Sequence, residues 1–157
     1  MNFDRIDRRI LTLLQNDGRM ANADLAEAVG LSPSACLRRV RALEDAGVIE
    51  KYVALLDQSQ IGRRMDIFVE ISLNSQANEV LTRFEKAVAQ SPEIMECYLM
   101  AGDADYLLRI AAADPTDFER IHRDHLARLP GVSRMRSSFA IRTVARSTAF
   151  PLPEAGH

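Results

Sequence analysis

The segment VGLSPSACLRRVRALEDAGVI, residues 29–49, carries the signals for a tight turn followed by a helix. Gly30 stands where one helical pattern stops, because glycine readily adopts the left-handed conformation that ends helices. Ser32 is a favoured N-cap, and Pro33 suits the first helical position, where its missing N–H costs nothing. Gly47 ends the second pattern. A short turn between two helices predicts a helix-turn-helix.

Two helical patterns precede this turn and complete a three-helix unit. Residues 4–16 begin with Asp4 as the cap and place Asp7 near the positive end of the helix dipole. Residues 22–29 form the second, shorter pattern. Apolar residues at helical spacing predict the buried side of each helix. They are Ile6, Ile10, Leu13, Leu14, Leu25, Ala26 and Val29.

The helix that follows the turn has two unlike faces. On a helical wheel, the arc expected to face the other helices consists of Cys36, Leu37, Val40 and Leu43. The opposite arc carries arginines and small residues, and no acid in the segment is nearer than Glu44. Arginine binds phosphates and reads guanine edges, and the second helix of a helix-turn-helix enters the major groove. The residues predicted to contact DNA are Ser32, Ser34, Ala35, Arg38, Arg39 and Arg41.

The alternative interpretation of these arginines is an ordinary solvated helix face. Arginine is a good helix former, and basic and acidic residues balance each other over residues 1–52. We therefore do not expect strong non-specific DNA binding from charge alone. In the DNA interpretation, Arg38 and Arg41 face the groove, and Arg39 lies nearer the phosphate backbone.

From Val48 onward the pattern is typical of strands. Residues 65–73 alternate between apolar and polar side chains, which predicts a strand with one buried face. The order of elements is β-α-β-β-α-β, a ferredoxin-like α+β arrangement. The predicted elements are a β-like segment at 48–57, a linker or turn at 58–64, strands at 65–73, 94–101, 106–112 and 137–145, and helices at 77–90 and 115–129.

Composition limits the class of protein. The chain has 157 residues, 47% apolar and 27% charged, which is enough apolar material to bury a core. No apolar run reaches the length of a bilayer span, and acids interrupt the N-terminus where a signal peptide needs an apolar stretch. Cys36 and Cys97 lack the spacing of a metal or disulfide motif. We expect a cytoplasmic protein without a membrane partner.

The sequence contains no recognisable enzymatic motif. His122 and His125 are spaced i, i+3, as two metal ligands can be, but no cysteine or acid completes a ligand set. Asp103 and Asp105 form a carboxylate pair, and two carboxylates alone do not make an active site. We therefore expect no catalytic residue, no metal and no cofactor.

Three long stretches resemble the Lrp/AsnC family, also called feast/famine regulators. They are IDRRILTLLQNDGRMANADLAEAVGLSPSACLRRVRALEDAGVIEKYVALLD at 6–57, EIMECYLMAGDADYLLRI at 93–110 and LPGVSRMRSSFAIRTVARSTAFPL at 129–152. The resemblance implies a transcriptional regulator that binds double-stranded DNA as a homodimer and as a higher assembly such as an octamer. In this family the C-terminal domain builds the oligomer and senses a small molecule, usually an amino acid.

The loop MAGDADY, residues 100–106, has two interpretations. Gly102 and the neighbouring acids are typical of a simple hairpin turn. The family, in contrast, places its effector at this loop, between subunits, with the last strand nearby. Many relatives have Thr or Ser where this chain has Ala101, so one hydrogen-bonding group is absent. By position, the resemblance implicates Leu99, Ala101, Gly102, Asp103, Asp105, Tyr106, Ser138, Phe139 and Ala140.

The charge and the apolar neighbours of the loop favour a neutral apolar amino acid, such as leucine or methionine. An acidic ligand would be repelled by the two carboxylates. Phe68, on the otherwise polar face of its strand, predicts that the sheet packs against a second subunit. The alternative functions are an architectural DNA-binding protein whose loop is only a turn, and a small α+β enzyme, against which the missing catalytic motif argues.

The predicted domains follow from these patterns. A winged-helix-like helix-turn-helix domain spans residues 1–50, and a strand or linker spans 51–64. The ferredoxin-like domain for effector binding and oligomerisation spans 65–147. Residues 148–157 form a tail that we expect to be frayed.

Overall fold

A computed structural model describes residues 3–152. These residues form two compact units: the chain up to Leu55 together with the segment from Val144, and the segment Leu56–Thr143. No helix in the described part is long and apolar enough to cross a bilayer. The predicted tail at 148–157 lies outside the described residues from position 153 onward.

Three helices form the first unit, as predicted. They are α1 (Arg5–Asn16), α2 (Asn22–Val29) and α3 (Pro33–Asp45). Ser32 caps α3 by accepting a hydrogen bond from the amide of Ala35, and Gly30 ends α2 with a φ of 71°. The signals for the turn between α2 and α3 in the sequence therefore correspond to the geometry that the chain adopts.

One side of each helix contributes to the core of the helical unit, and the predicted buried side of α3 needs one correction. Ile10, Leu25 and Cys36 are almost fully buried, whereas Leu37, predicted to face the other helices, is 39% exposed. The core accepts only the stripe of Cys36, Val40 and Leu43 from α3. Leu37 lies one residue outside this stripe, about 100° around the helix, and so reaches the surface beside Arg38.

The C-terminal end of the described chain also packs on the helical unit. The amide of Phe150 donates a hydrogen bond of 2.6 Å to Oε1 of Gln15, and Nε2 of Gln15 donates one of 3.2 Å to the carbonyl of Phe150. Leu152 packs against the helical core. The segment from Val144 therefore completes this unit instead of extending the sheet.

The second unit is a four-stranded antiparallel sheet with helices on one face. Its strand order is β2-β3-β1-β4, which confirms the predicted βαββαβ fold. The second predicted helix ends at Asp124, and a short 3-10 turn at Leu126–Arg128 follows it. The elements are β1 (Met65–Leu73), α4 (Asn78–Ala89), β2 (Ile94–Leu99), β3 (Tyr106–Ala112), α5 (Pro115–Asp124) and β4 (Val132–Phe139).

Alternation along β1 divides the sheet into a buried and an open face. Ile67, Val69 and Ile71 are fully buried against side chains of β3 and of both helices. The intervening residues of β1 point to the opposite face, where Phe68 is 38% exposed. We call this second surface the open face. It comprises Asp66, Phe68, Glu70 and Ser72 of β1, Tyr98 and Glu96 of β2, Leu107 and Arg109 of β3, and Arg134, Arg136 and Ser138 of β4.

The last strand starts and ends earlier than the sequence predicted. We expected it at 137–145, whereas β4 runs from Val132 to Phe139. Phe139 pairs with Ile67, and the amide of Ala140 donates to the carbonyl of Asp66 at 2.9 Å. Because β1 begins at Met65, which lies opposite Ile141 in this register, residues beyond Ile141 have no neighbouring strand among the described residues.

The β-like segment at 48–57 is not a strand in this chain. Between α3 and β1 the backbone forms no ladder, and Tyr52, Val53, Leu55 and Leu56 are exposed. A strand needs a neighbour for its amide and carbonyl groups, and residues 3–152 provide none there. The sequence left a strand and a linker open for residues 51–64, and the described backbone there has no regular secondary structure.

Gly131 provides a test of the turn that leads into β4. It has a φ of 76°, and an added Cβ would lie 2.9 Å from Cγ1 of Val80. Gly62 has a similar φ of 78° but nothing within 4 Å of that position. Urea unfolding should show that Gly131→Ala costs roughly 1–3 kcal/mol more than Gly62→Ala, because only the former adds overpacking to the backbone strain. Equal losses would contradict the close approach of Gly131 to α4.

Candidate nucleic-acid interface and effector loop

The exposed face of α3 carries two arginines without partners. The side chains of Arg38 and Arg41 make no hydrogen bond or ion pair with any part of the described chain. They border a shallow cavity of about 380 Å³ together with Ser34, Leu37, Ala42 and Asp45. The surface thus offers guanidinium donors beside small side chains that permit close approach, which is the chemistry that a helix needs in a DNA groove.

Leu37 is a surface residue that the helical wheel missed. It lines the same cavity as Arg38 and Arg41. An apolar side chain there can contact the methyl group of thymine. Its position one residue after Cys36 was the available signal, since three apolar residues at positions 36, 40 and 43 already fill the buried stripe.

The N-terminal residues of α3 have different roles. The Ser32 hydroxyl accepts from the Ala35 amide at 3.3 Å and lies 3.3 Å from the Ser34 hydroxyl. Ser32 is therefore engaged in capping the helix. Ser34 is exposed at the cavity, whereas Ala35 is half-buried.

Arg39 differs from its two neighbours because it is paired within the chain. Its Nη1 lies 2.7 Å from a carboxylate oxygen of Asp4 and 2.7 Å from one of Asp7. The amide of Asp7 and then the Arg39 guanidinium lower the pKa of the Asp4 carboxyl, and the two carboxylates raise the pKa of Arg39. The segment 29–49 contains no acid nearer than Glu44, but Arg39 is nevertheless paired, because folding brings the start of α1 next to α3.

The loop between β2 and β3 separates its two aspartates into different environments. Asp105 is engaged: its carboxylate accepts from the Leu73 amide at 2.7 Å and from Nε2 of Gln76 at 2.9 Å. Asp103 is exposed and has no partner in the described residues. Asp105 therefore closes the end of β1, and Asp103 is the carboxylate available to a ligand.

Tyr106 belongs to the core. It is 1% exposed, its ring lies 4.5 Å from that of Phe84, and its hydroxyl donates to Glu85 at 2.7 Å. Burial is the main cause that raises the pKa of the Tyr106 hydroxyl, and the hydrogen bond with Glu85 is the second. Of the other predicted loop residues, the exposed ones are Leu99, Ala101 and Gly102.

Within one chain, the predicted residues of the last strand do not lie beside the loop. Tyr106 pairs with Ile71, whereas Phe139 pairs with Ile67, which is roughly 13 Å away along β1. Phe139 instead packs edge-on against Phe118 at 5.4 Å. Ser138 and Ala140 share this distant end of the sheet.

A different part of β4 borders the loop. A cavity of about 450 Å³ opens beside Asp103 and contains two acids and two arginines. Arg136 lies 3.9 Å from Glu70, whereas Arg134 has no ion pair in the described residues. The earlier register of β4 brings these arginines to the loop, so they were missed by the sequence analysis. The lining residues are Glu70, Ser72, Asp103, Ala104, Arg134, Met135 and Arg136.

The thiols and imidazoles form no reactive centre in the described residues. Cys36 and Cys97 are both free, and burial raises the pKa of each thiol, that of Cys97 to about 11. No three His, Cys, Asp or Glu side chains within residues 3–152 are grouped as a metal site. His125 lies 3.3 Å from the Ser91 hydroxyl, and His122 packs edge-on against Phe118.

Both halves of the chain match known protein families. Residues 3–50 match the family model described as winged helix-turn-helix DNA-binding, and residues 66–150 match the Lrp/AsnC ligand binding domain. The chain belongs to the Lrp/AsnC family. As an Lrp/AsnC protein it is a DNA-binding transcriptional regulator with a C-terminal ligand-binding domain, and not an enzyme, which confirms the predicted function class.

Individual relatives are similar over nearly their whole length. The Bkd operon transcriptional regulator of Pseudomonas aeruginosa is 42% identical over 96% of this chain and 98% of its own. The leucine-responsive regulatory protein of Escherichia coli is 44% identical over 93% of this chain and 89% of its own. A transcriptional regulator from Neisseria meningitidis, solved in complex with L-methionine, superposes with a TM-score of 0.89 at 35% identity, over 96% of this chain and 97% of that one.

Proposed function

We propose that this Lrp/AsnC regulator reads specific DNA sequences through the exposed face of α3. The observation that carries the proposal is the pair of guanidinium groups of Arg38 and Arg41, which have no partner among the described residues and project from a helix with small neighbours. Arg38 and Arg41 donate to base edges, Leu37 contacts a thymine methyl group, and Ser34 is close enough to add a hydrogen bond. The DNA target implies a cytoplasmic location.

The proposal includes a homodimer formed through the open face of the sheet. Phe68, Tyr98 and Leu107 supply apolar area there, and Arg109 is held between Asp66 and Glu96 at 3.4 and 3.6 Å. Acids on β1 and β2 and arginines on β4 make this face complementary in charge to a second copy turned by a two-fold rotation. A dimer presents two recognition helices to two half-sites, and a larger ring such as an octamer would repeat this arrangement.

The proposed effector is an amino acid bound beside the loop of residues 100–105. An amino acid carries an ammonium and a carboxylate, and the cavity offers one unpaired group for each: Asp103 for the ammonium and Arg134 for the carboxylate. Met135 supplies apolar surface in the lining of the cavity. A neutral apolar amino acid, leucine or methionine, satisfies these groups best, and the relative that holds L-methionine supports this class.

The predicted residues at the far end of β4 enter this proposal through a second subunit. Ser138, Phe139 and Ala140 lie far from the loop of their own chain, so they reach an effector only across a subunit boundary. Effector binding at such a boundary changes the assembly and with it the spacing of the recognition helices.

The DNA interface is tested by removing each free arginine. Arg38→Ala should weaken operator binding by about 1–3 kcal/mol and relax the preference at one base pair, because a bidentate contact to a base edge is lost. Fluorescence anisotropy on an operator selected by the parent protein measures both effects. Arg83→Ala, on the exposed surface of α4, is the matched control. Unchanged affinity in a folded Arg38→Ala/Arg41→Ala variant would reject this interface.

The dimer is tested by placing a charge on the open face. Phe68→Glu should shift the mass found by light scattering toward the 17.5 kDa of a single chain, because a carboxylate would be buried against the second copy. Thr82→Glu adds the same charge on the exposed side of α4 and should leave the assembly intact. A parent protein of only 17.5 kDa at micromolar concentration, or an unaltered Phe68→Glu assembly, would exclude the proposed face.

The effector site is tested by comparing the two aspartates. Asp103→Asn should reduce the affinity for leucine or methionine at least ten-fold in calorimetry while leaving the melting temperature without ligand unchanged, because only a ligand uses this carboxylate. Asp105→Ala should instead destabilise the fold by about 1–3 kcal/mol, since the buried end of β1 loses the acceptor for the Leu73 amide.

Saturating effector gives an independent measurement of the same site. At a concentration one hundred times the dissociation constant, ligand should add about 2.7 kcal/mol to the stability of the parent, and little to that of Asp103→Asn or Arg134→Gln. If neither variant differs from the parent in calorimetry, the effector binds elsewhere. If the parent binds no free amino acid, the result favours an architectural DNA-binding protein, in which the loop of residues 100–105 is only a turn.

A further inference from the structure

Arg39 closes a hydrogen-bonded network at the start of α1. Asp4 and Asp7 form a reciprocal capping box, in which Oδ1 of Asp4 accepts from the Asp7 amide at 2.8 Å and Oδ2 of Asp7 accepts from the Asp4 amide at 3.2 Å. The two remaining oxygens both bind Nη1 of Arg39, at 2.7 Å each. All four carboxylate oxygens are thus in use, and Arg39 joins α3 directly to the capped end of α1.

The charge of this network is unfavourable for phosphate. One guanidinium and two carboxylates carry a formal charge of −1, so a DNA phosphate approaching Arg39 would also meet the second carboxylate. Arg38 and Arg41, in contrast, lie on the exposed face and form no ion pair with the part of the chain that the structure describes. Three arginines within four positions of one helix therefore have two different electrostatic environments.

The geometry also links Arg39 to the pose of the recognition helix. Its neighbours Cys36 and Val40 belong to the same apolar core as Ile10 and Leu11 of α1. Charge-assisted hydrogen bonds are short and directional. Two of them to the first turn of α1 constrain where α3 sits, and with it the direction in which Arg38 and Arg41 project.

We propose that Arg39 is a positioning residue, which orients α3 for base contacts through its two hydrogen bonds to Asp4 and Asp7. In this role it does not bind a DNA phosphate. This inference rests on the proposed DNA interface. It replaces the sequence-based expectation that Arg39 contacts the phosphate backbone.

The two roles predict opposite effects of Asp7→Asn on the affinity for DNA. If Arg39 binds phosphate, Asp7→Asn removes a competing negative charge and strengthens DNA binding. If Arg39 positions α3, Asp7→Asn weakens the contact between Arg39 and Asp7 and lowers the affinity for the operator. The salt dependence separates the roles a second time, because losing one phosphate contact reduces the slope of log K against log[salt] by about 0.9.

The experiment measures anisotropy of the full-length protein with its selected operator and with random DNA across a salt series. We expect Asp7→Asn and Arg39→Gln each to lower operator affinity several-fold, to reduce the ratio of operator to random affinity, and to leave the salt slope unchanged. The double variant should be no weaker than Arg39→Gln alone, since both changes break the same network. Asp4→Asn serves as a second test if Asp7→Asn is unfolded by circular dichroism.

Arg38→Ala is measured in parallel, so that failure of the interface and failure of the positioning role can be told apart. Stronger operator binding by Asp7→Asn, or a salt slope reduced by about 0.9 in Arg39→Gln, overturns the positioning role. If Asp7→Asn and Arg39→Gln both bind the operator as the parent does while Arg38→Ala binds it more weakly, only the positioning role of Arg39 is overturned. If Arg38→Ala is also unchanged, the DNA interface itself is wrong and the positioning role is overturned with it.

Discussion

Both backbone edges of β1 are hydrogen-bonded, and the C-terminal unit depends on that double pairing. β3 lies along one edge and β4 along the other, so β1 fixes the register of the sheet's centre. A shift of β1 by one residue would move Ile67 and Val69 from the buried face to the open face. It would bring Asp66 and Glu70 into the core instead. The same register places the loop before β3 at one end of the sheet and Phe139 at the other. It therefore determines which side chains can meet a ligand within one chain.

Intrachain pairing distinguishes residues that look alike in the sequence. Arg39 is held by two carboxylates, whereas Arg38 has no partner among the described residues. Asp105 is held by Leu73 and Gln76, whereas Asp103 has no partner within residues 3–152. In both cases the engaged group contributes to the stability of the fold, because a hydrogen bond to a charged group gives a net gain over the bonds to water that it replaces. The unengaged group keeps its full charge for a partner outside the chain.

A single chain also leaves apolar surface that it does not cover. Tyr52, Val53, Leu55 and Leu56 lie between α3 and β1, and all four are exposed. The open face adds Phe68 and the neighbouring apolar side chains. Exposed apolar surface of this extent is typical of proteins that associate. The missing strand partner at 48–57 is consistent with the same property.

The sequence by itself determined the elements and their buried sides. Periodicity and caps located α1 to α3 and β1 almost to the residue, because Ser32, Pro33 and Gly30 act locally and alternation in β1 reports burial directly. Only the tertiary structure decided the ends of β4, the exposure of Leu37 and the partners of Arg39 and Asp105. Each of these depends on residues distant in the chain: β4 stops where β1 begins, and Arg39 meets carboxylates 32 and 35 positions away. Local patterns carry no information about such contacts, because folding creates them.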